Sequence, residues 1–543
     1  MIHRLAALLY ALGVTAVALT AAWVLVAVAS FPPPPPRPAD SHGSALRDER
    51  GAQHVMRLQG DPYALGLHNA RLLGDYMNMQ ERLLIDNLMR FAKAPWRAML
   101  IHRTGMFYLL GFHNYLSEEE RLEIRGLADG GEDLFPELGP RFGRIAAYHA
   151  AHELSHRFAF DNPLWACSLV AVGSTRGAEG HTLLARNFDF EGGAVFDTHK
   201  VVLAVRPSQG YGFVSVVWAG MAGVVSGINE HGLVIVLNAG ASADYRRVGA
   251  PTTLLIRRAL QYARTIDEAV AILTATPTFV SDILGLADRS GRVAVLELTP
   301  ERHGLREGPL LIATNHMLSA ELRADPVSLA RSRSTTTLQR HDSLQQWVAR
   351  QRPGPTLDAA ALQQLMRQRT DARGKPLPIG HRHAVDALIA THSVIFDATA
   401  GRLWVSEGPH TLGPYHGYDV AALLAAEDRA QLRGAYLPSL PEDPLLPIAP
   451  LAARAVEAWQ EIRTALDNGA LERAEAALTD AAALGDHPVT LTLRGELAAA
   501  RGDRRWAAAF WRQALRSPPE YRADVARIEA LLAALSSAGN ERP

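Results

Sequence analysis

The chain has a single cysteine in 543 residues, which excludes an internal disulfide and any fold stapled by disulfides. The lone thiol is therefore of interest as a chemical reagent. Basic residues are not in excess either, since 55 Lys and Arg face 56 Asp and Glu. This balance argues against a nucleic-acid partner. A chain of this length is too long for one ordinary hydrophobic core, so the sequence predicts two or three domains.

Charged residues are also absent from Leu5 to Phe31, a run long enough for a helix to cross a bilayer about 30 Å thick. Arg4 precedes the run and favours a cytoplasmic amino terminus. We therefore predict a signal anchor over residues 1–31, and a cleaved signal peptide ending at Ala29 is the alternative. In both cases the protein is attached to or passes the inner membrane, and its body lies on the periplasmic side. A proline-rich linker is predicted over residues 32–53.

Two regions with different sequence patterns follow the linker. Residues 54–166 have apolar residues at intervals of three and four, which is typical of helices. Residues 167–440 contain short β-rich runs such as "HTLLARNFDF" and "GLVIVLNAG", interrupted by two helices in "TTLLIRRALQYARTIDEAVAILTA" and by a hairpin around Ser290 and Gly291. This order predicts an α+β fold of packed sheets with helices as outer layers.

Residues 450–543 are rich in alanine, arginine and glutamate at helical spacing. Gly469 aligns with Gly502 and Ala474 with Ala507, an offset close to the 34-residue tetratricopeptide period. We predict a tetratricopeptide-like region that docks on the preceding domain and offers a groove to a protein partner. A plain helical bundle is the alternative.

The stretch "HELSHRFAFDNPLWACS" contains two candidate active sites. His152, Glu153 and His156 match the H-E-x-x-H pattern, in which two histidines on one helical face bind zinc and the glutamate acts on the metal-bound water. The extended metzincin pattern fails, because Ala159 and Asn162 stand where a glycine and a third histidine belong. Polar histidines on an exposed or interface helix are therefore the favoured interpretation.

Cys167 begins a β-rich run directly after the turn-forming "DNPLWA". Arg186 and Asp189 come at the end of the next run, "ARNFDF". In a hairpin the end of the second strand returns beside the start of the first, so we expect both side chains near the thiol. The alternative is that Cys167 is a small buried hydrophobic residue.

Several segments in one order carry a family resemblance. They are "LQGDPYALGLHNARLL", "EIRGLADG", "CSLVAVGSTRGAEGHTLLARNFDFEG", "GINEHGLVIVLNAG", "TNHM" and "THSVIFDATAGRLWVSEGP". Together they resemble the isopenicillin N acyltransferase-like family of N-terminal-nucleophile hydrolases, whose relatives include bile-salt hydrolases and acid ceramidase. The resemblance implies a four-layer αββα sandwich, no cofactor, no metal, and autoproteolysis between Ala166 and Cys167. Cleavage of that bond makes the α-amino group of Cys167 a base beside its own sulfur.

The resemblance also implies roles for individual residues. Cys167 is the nucleophile, Asp189 orients its α-amino group, and Arg186 lies beside the sulfur, where positive charge favours the thiolate. Asn238 and Asn315 are the expected oxyanion donors. A turn residue at the strand end is the alternative for Asn238, and a local cap is the alternative for Asn315.

Several relatives have a further arginine after the asparagine. Arg331, Arg333 and Arg382 all compete for this role. The spacing does not decide between them, and we prefer Arg333.

The predicted function is that of an exported amidohydrolase or acyltransferase, which cleaves or transfers an acyl group on a small amide through a thioacyl-enzyme. The apolar stretch Met106–Phe112 is a candidate lining for an acyl tunnel, or a part of the core. Two other functions stay open. One is a zinc peptidase that uses His152 and His156, and the other is a non-catalytic adaptor whose C-terminal helices bind a partner peptide.

Overall fold

The computed structural model describes residues 13–20, 33–158, 165–191, 193–351, 354 and 356–537. Most of the predicted anchor, residues 1–31, lies outside this part of the chain. The portion that is described, residues 13–20, is helical and is labelled α1. Among the described residues, no helix combines the length and the apolar character needed to cross a membrane.

The strands are β1 Gly43–Arg50, β2 Gln53–Gly60, β3 Trp165–Val172, β4 Leu183–Phe190, β5 Val201–Pro207, β6 Phe213–Val217, β7 Ser226–Asn229, β8 Val234–Ala239, β9 Asp282–Ala287, β10 Val293–Leu298, β11 His303–Glu307, β12 Leu310–Ala313, β13 Ala390–Asp397, β14 Arg402–Ser406, β15 Tyr415–Asp419 and β16 Tyr436–Leu440.

The remaining α helices are α2 Pro62–Ala92, α3 Pro95–Tyr108, α4 Glu118–Gly130, α5 Arg141–Tyr148, α6 Ala151–Phe158, α7 Ala194–Thr198, α8 Thr252–Tyr262, α9 Ile266–Ala275, α10 Pro326–Ser334, α11 Thr337–Ala349, α12 Ala359–Met366, α13 Val420–Ala425, α14 Arg429–Gly434, α15 Ala449–Asp467, α16 Leu471–Ala481, α17 Pro488–Ala500, α18 Arg504–Arg516 and α19 Arg522–Ser537.

The strands form two sheets. The first has the order β1-β2-β5-β6-β7-β8-β9-β10-β11, and the second has the order β12-β3-β4-β13-β14-β15-β16. Neighbouring strands are antiparallel, with β2 and β5 as a parallel pair. The hairpin predicted around Ser290 and Gly291 is confirmed as β9–β10, and the turn has Gly291 at φ 99°, a left-handed conformation that suits glycine.

Alternation along the strands separates the layers of the core. On β3, Leu169 and Ala171 enter a core shared by the two sheets, where they meet residues such as Val236 of β8. The intervening Val170 and Val172 pack with helices α11 and α12 on the outer face of the second sheet. On the first sheet, the outward side chains of β8 pack with helices that include α2, α4, α8 and α9. The predicted order of layers, helix–sheet–sheet–helix, is therefore present.

The predicted linker over residues 32–53 needs correction. Residues 43–50 form β1, which pairs along its whole length with β2, from Gly43 with Gly60 to Arg50 with Gln53. Both strands belong to the first sheet, so the helical segment predicted over residues 54–166 also begins with a strand. The polar composition of β1 misled the prediction, because an edge strand keeps one side open to solvent.

The C-terminal region is helical, as expected. Helices α15 and α16 pack as one pair, and α17 and α18 pack as a second pair. Gly469 and Gly502 end the first helix of each pair at positive φ, 69° and 84°, and Ala474 and Ala507 are both fully buried. Each of these glycines and alanines therefore occupies the same place in its own helix pair. A tetratricopeptide-like character stays a prediction.

Candidate active site

The hairpin expected at Cys167 is formed by β3 and β4. In its register Cys167 lies opposite Phe188, and Ala166 lies opposite Asp189. Cys167 shares the inward face of β3 with Leu169, so the thiol points into the sandwich near its end and is completely buried.

The guanidinium of Arg186 is the charged group that contacts the thiol, with Nη2 3.7 Å from Sγ. Burial raises the pKa of the Cys167 thiol, and the positive charge of Arg186 only partly offsets this effect. Burial also lowers the pKa of Arg186 to about 10. In the uncleaved chain the sulfur is therefore a neutral thiol at neutral pH, and it needs a base before it can act as a nucleophile.

Arg186 is fixed on three sides. Its Nε donates to Oδ1 of Asn238 at 3.2 Å, its Nη1 donates to Oγ of Ser226 at 2.8 Å, and its Cζ lies 4.1 Å from the ring centroid of Phe188. The Ser226 hydroxyl in turn lies 3.1 Å from Nε2 of His392. Ser226 and His392 were not predicted, because each joins the site through a neighbouring strand and not through a local motif.

Asn315 holds the backbone nitrogen of Cys167. The Cys167 N–H donates to Oδ1 of Asn315 at 2.9 Å, while Nδ2 of Asn315 donates to the carbonyl of Ala239 at 2.9 Å. The second N–H of the Asn315 side chain remains able to donate to another acceptor. Asn315 also lines a small pocket together with Ala166 and Asp189. These contacts place it beside the Ala166–Cys167 bond.

Asn238 is placed differently. It is completely buried, its Oδ1 accepts from Arg186, and its Nδ2 donates to the carbonyl of Thr314 at 3.2 Å. It does not line the pocket that contains Ala166. Its contacts are those of a group that orients Arg186 and joins β8 to the end of β12.

The preference for Arg333 is corrected by the structure. Arg333 is exposed on α10, whereas Arg340 of α11 is buried and reaches Cys167. Nη1 of Arg340 donates to the carbonyl of Cys167 and, at 3.0 Å, to Oγ of Ser168, and Nη2 donates to Oδ1 of Asn315 at 2.7 Å. The signal in the sequence was weak: Arg340 lies on the same helical face as Thr337 and Leu344, where an arginine is unusual.

The other two arginines that were considered, Arg331 and Arg382, line the pocket near Ala166 without bonding to Cys167. Arg382 forms an ion pair with Glu191. The pocket has a volume of about 40 Å³.

Asp189 is 1% exposed, and neither of its carboxylate oxygens has a hydrogen-bond partner within the described part of the chain. Burial raises its pKa to about 7, although Arg340, Arg382 and Arg186 act in the opposite direction. A buried carboxylate without donors is costly, and such groups are frequent at functional sites.

A second, larger cavity lies beside Phe188. It has a volume of about 510 Å³, and Phe188, the cross-strand neighbour of Cys167, forms part of its wall. The rest of the lining is largely apolar and includes Met77, Leu84, Ile145, Phe190, Trp218 and Met221. The stretch Met106–Phe112, suggested as a tunnel lining, does not line it.

The H-E-x-x-H segment forms helix α6, as its pattern requires. Nitrogens of His152 and His156 and an oxygen of Asp282 lie within 4.8 Å of one another, a spacing that a metal ion could bridge. However, Nε2 of His152 bonds Oδ1 of Asp282 at 2.9 Å, and Oε1 of Glu153 accepts the backbone N–H of Thr252 at 2.8 Å. The glutamate that a zinc peptidase uses on water is thus engaged in joining α6 to α8.

Comparisons with known proteins agree with the resemblance seen in the motifs. The acyl-coenzyme A:6-aminopenicillanic acid acyl-transferase family matches residues 175–410. This range contains Arg186, Asp189, Asn238, Asn315 and Arg340. An uncharacterized protein of Archaeoglobus fulgidus is 24% identical over 279 residues, 48% of this chain and 46% of that protein. The chain thus spans about half the length of this curated relative.

Three solved structures are similar. The N-acylethanolamine-hydrolyzing acid amidase ortholog of Caenorhabditis elegans is 16% identical, with 43% of this chain and 93% of that chain covered at a TM-score of 0.30. Penicillin V acylase from Agrobacterium tumefaciens is 14% identical, with 51% and 98% covered at 0.31. Conjugated bile acid hydrolase from Clostridium perfringens is 10% identical, with 47% and 93% covered at 0.32.

Proposed function

We propose that this protein is a cysteine N-terminal-nucleophile amidohydrolase or acyltransferase that activates itself by cleavage between Ala166 and Cys167. It acts on a small amide, such as an acyl amino acid, a peptide or an acyl amine, through a thioacyl-enzyme. The observation that carries the proposal is the set of contacts around one residue. Arg186 lies on the sulfur of Cys167, Asn315 on its nitrogen and Arg340 on its carbonyl oxygen.

The first reaction of the proposal is an acyl shift within the chain. Sγ of Cys167 attacks the carbonyl carbon of Ala166, the C–N bond breaks, and the thiol proton passes to the departing nitrogen. Water then hydrolyses the resulting thioester, which leaves a carboxylate on Ala166 and a free thiol and α-amino group on Cys167. Arg340 supports this step because it donates to the carbonyl oxygen of Cys167. This contact holds Cys167 in place while the bond between Ala166 and Cys167 breaks.

Asp189 gains a partner from this cleavage. In the uncleaved chain none of the described residues donates a hydrogen bond to its carboxylate, and Ala166 is its cross-strand neighbour. A new α-ammonium group at Cys167 brings both donors and positive charge to this buried region. The buried charge that is costly in the precursor is then compensated in the mature protein.

In the catalytic cycle the free α-amino group acts as the base for its own thiol, since the amino group at the start of a chain ordinarily has a pKa of about 7.7–8.0. The thiolate attacks the carbonyl carbon of the substrate amide, and the free N–H of Asn315 stabilises the oxyanion. The α-ammonium group then returns the proton to the leaving amine. Water or a second amine takes the acyl group from sulfur and restores the thiol.

The cavity of about 510 Å³ supports an apolar acyl group on the substrate. Its volume falls within the range of about 300–1,000 Å³ found for small-molecule sites. Phe188 lines this cavity and is the cross-strand neighbour of Cys167. An acyl chain that binds in the cavity would therefore have its carbonyl carbon near the thiol.

The proposal is tested by trapping the acyl-enzyme. Purified protein is mixed with amides of acetate, decanoate and palmitate, quenched with acid, and analysed by intact mass. We expect the acyl mass on the fragment that begins at Cys167, and release of the amine. Pretreatment with iodoacetamide removes both. Acylation of another fragment, or amine release that persists after alkylation, contradicts the proposal.

The cellular location is a proposal that depends on the sequence alone. The charge-free run after Arg4 supports an inner-membrane anchor, with the catalytic body on the periplasmic side. A membrane-impermeant maleimide would report the location only of an exposed thiol, and Cys167 is buried. Protease digestion of spheroplasts is therefore the suitable test. We expect it to degrade the catalytic body, and resistance to digestion contradicts the proposal.

A further inference from the structure

Helix α3 has an exposed apolar face. Of its fourteen residues, all of which the structure describes, Ala98 alone is buried. Trp96 is 65% exposed, and Leu100 and Phe107 are each 50% exposed. Leu100 and Phe107 follow Trp96 by four and eleven positions, which places the three side chains within about 40° of one another around the helix. Large apolar side chains that are grouped in this way mark a contact surface.

The end of α2 extends this face. Phe91 is 77% exposed, and Met89 in the same turn is also exposed. Lys93 and Ala94 join α2 to α3, and Lys93 has a φ of 57°, so the chain turns sharply between the two helices. The helices pack against each other at this turn. The exposed apolar side chains on both helices are called the corner face, which comprises Met89, Phe91, Trp96, Leu100 and Phe107.

The charges beside the corner face are mostly positive. Arg90, Lys93 and Arg97 lie at the turn, and the nearest carboxylate along the chain is Asp86, one helical turn before Arg90. These four groups sum to +2. The sequence contains no further Asp or Glu until Glu118. The corner face is therefore bordered by basic groups, although the whole chain has a net charge of −1.

The contacts of these basic groups are with neutral partners. Arg90 donates to the side-chain oxygen of Asn87, and Cζ of Arg97 lies 5.2 Å from the ring centroid of Trp96. Their positive charges are therefore available to an anionic partner. Farther along α3, Arg103 donates to the backbone carbonyl of Glu137 at 3.3 Å, and the opposite charges of these two residues offset each other.

This combination of side chains favours a lipid surface as the partner. Aromatic and aliphatic residues beside Lys and Arg are typical of helices that lie in the interfacial region of a bilayer, where the basic groups attract anionic lipids. Tryptophan is enriched at the same depth. A second copy of the chain in a symmetric contact would bring two positive surfaces together, which disfavours a dimer through this face. The anchor proposed over residues 1–31 would also keep the protein beside a bilayer.

The corner face lies next to the cavity of about 510 Å³. Helix α2 contributes Leu84 and Asn87 to the wall of this cavity. Phe91 follows Leu84 by seven residues, which is about 10 Å along the helix. A bilayer in contact with Phe91 would therefore lie close to the cavity proposed for the acyl group.

We infer that the corner face is a docking surface for an anionic phospholipid bilayer. Phe91, Trp96 and Leu100 enter the interfacial region, and the neighbouring Arg90, Lys93 and Arg97 contact the lipid phosphates. The inference goes beyond the proposed function and does not depend on it, because these residues lie outside the catalytic machinery.

The test uses photocrosslinking of the full-length protein to lipid. The photoreactive residue p-benzoylphenylalanine replaces Phe91 or Trp96, and in the control it replaces Trp506, which is 58% exposed on α18. Each substitution exchanges one aromatic side chain for another, so the apolar character of the surface is kept. The proteins are reconstituted into vesicles of phosphatidylcholine alone or with one third phosphatidylglycerol, illuminated, and analysed by mass spectrometry.

We expect lipid adducts at positions 91 and 96, and few at position 506. The yield at 91 and 96 should be at least about fivefold higher with phosphatidylglycerol than with phosphatidylcholine alone. The double substitution Lys93→Gln and Arg97→Gln should abolish this preference. Arg323→Gln with Arg373→Gln, at two exposed positions outside the corner face, should leave it unchanged. An unaltered thermal unfolding midpoint shows that each variant is folded.

Four results would overturn the inference. Crosslinks at 91 and 96 to a second copy of the chain would assign the face to a dimer, and crosslinks to residues 1–31 would assign it to the N-terminal segment. Equal lipid adducts at 91, 96 and 506 would show contact without a preferred face. Equal yields with and without phosphatidylglycerol would exclude recognition of an anionic surface.

Discussion

Asp189 lies directly opposite Ala166 in the β3–β4 ladder, with a buried carboxylate that accepts no hydrogen bond from the described residues. Its pKa is raised from 3.8 to about 7, chiefly by burial. The folded precursor therefore holds a proton on Asp189 more tightly than the unfolded chain does. Its stability should fall as the pH rises from about 4 to about 7, and should stay lower above pH 7.

This relationship gives a stability prediction for the uncleaved chain. In a Cys167→Ala background, Asp189→Asn should raise the free energy of unfolding at pH 8 by an amount on the order of 2–4 kcal/mol, should raise it by a smaller amount at pH 5, and should change it little below the unfolded pKa of 3.8. Denaturant unfolding at several pH values measures the difference. Asp86→Asn, at an exposed position of α2, is the matched control. An equal effect of Asp189→Asn at pH 5 and pH 8 contradicts this assignment of the buried charge.

Arg340 and Arg333 should respond differently to the same substitution. Arg340→Ala removes donors to the Cys167 carbonyl and to Asn315, and hydrogen bonds to charged groups contribute about 1.5–3 kcal/mol each. Self-cleavage followed by gel electrophoresis should slow at least tenfold, with partial rescue by Arg340→Lys. Arg333→Ala, on the exposed side of α10, should cleave at the wild-type rate. The reverse order would restore Arg333 as the site arginine.

Asn315 and Asn238 should be separable by kinetics. Asn315→Ala should lower kcat by about 10²–10³, because an oxyanion donor stabilises the transition state by roughly 2.7–4 kcal/mol. Asn238→Ala acts through Arg186, so it should move the acid limb of the pH–rate profile to higher pH. If Asn238→Ala lowers kcat with no change in the pH profile, Asn238 contributes to the oxyanion site directly.

Metal chelation separates the thiol mechanism from the zinc-peptidase alternative. Turnover should persist after dialysis against 1,10-phenanthroline and should be lost after treatment with iodoacetamide. Glu153→Gln should leave kcat within about twofold, since this carboxylate bonds the backbone of Thr252. A loss of activity that zinc restores, together with an inactive Glu153→Gln variant, would favour the zinc peptidase.

Much of the fold followed from local patterns. Short apolar runs between turn residues marked β3, β4, β5, β6 and β8. The return of a hairpin correctly placed Arg186 beside Cys167. Such features depend on residues that are close in sequence, where strand alternation and turn chemistry decide the structure.

The features that were missed depend on distant contacts. Arg340 lies 173 positions from Cys167 and meets it only because α11 packs against the second sheet. Strand β1 is polar because it lies at the sheet edge, and Tyr521 lines the pocket near Ala166 only through the docking of α19 and the preceding connection. Periodicity reports which side of an element is buried, but it does not report which element covers it.

The most direct test of self-activation at Cys167 is the intact mass of purified wild type beside Cys167→Ala. We expect two wild-type fragments that meet between Ala166 and Cys167, and one uncut polypeptide for the variant. A wild type that stays in one piece, with turnover unchanged by alkylation of Cys167, would contradict the proposed mechanism.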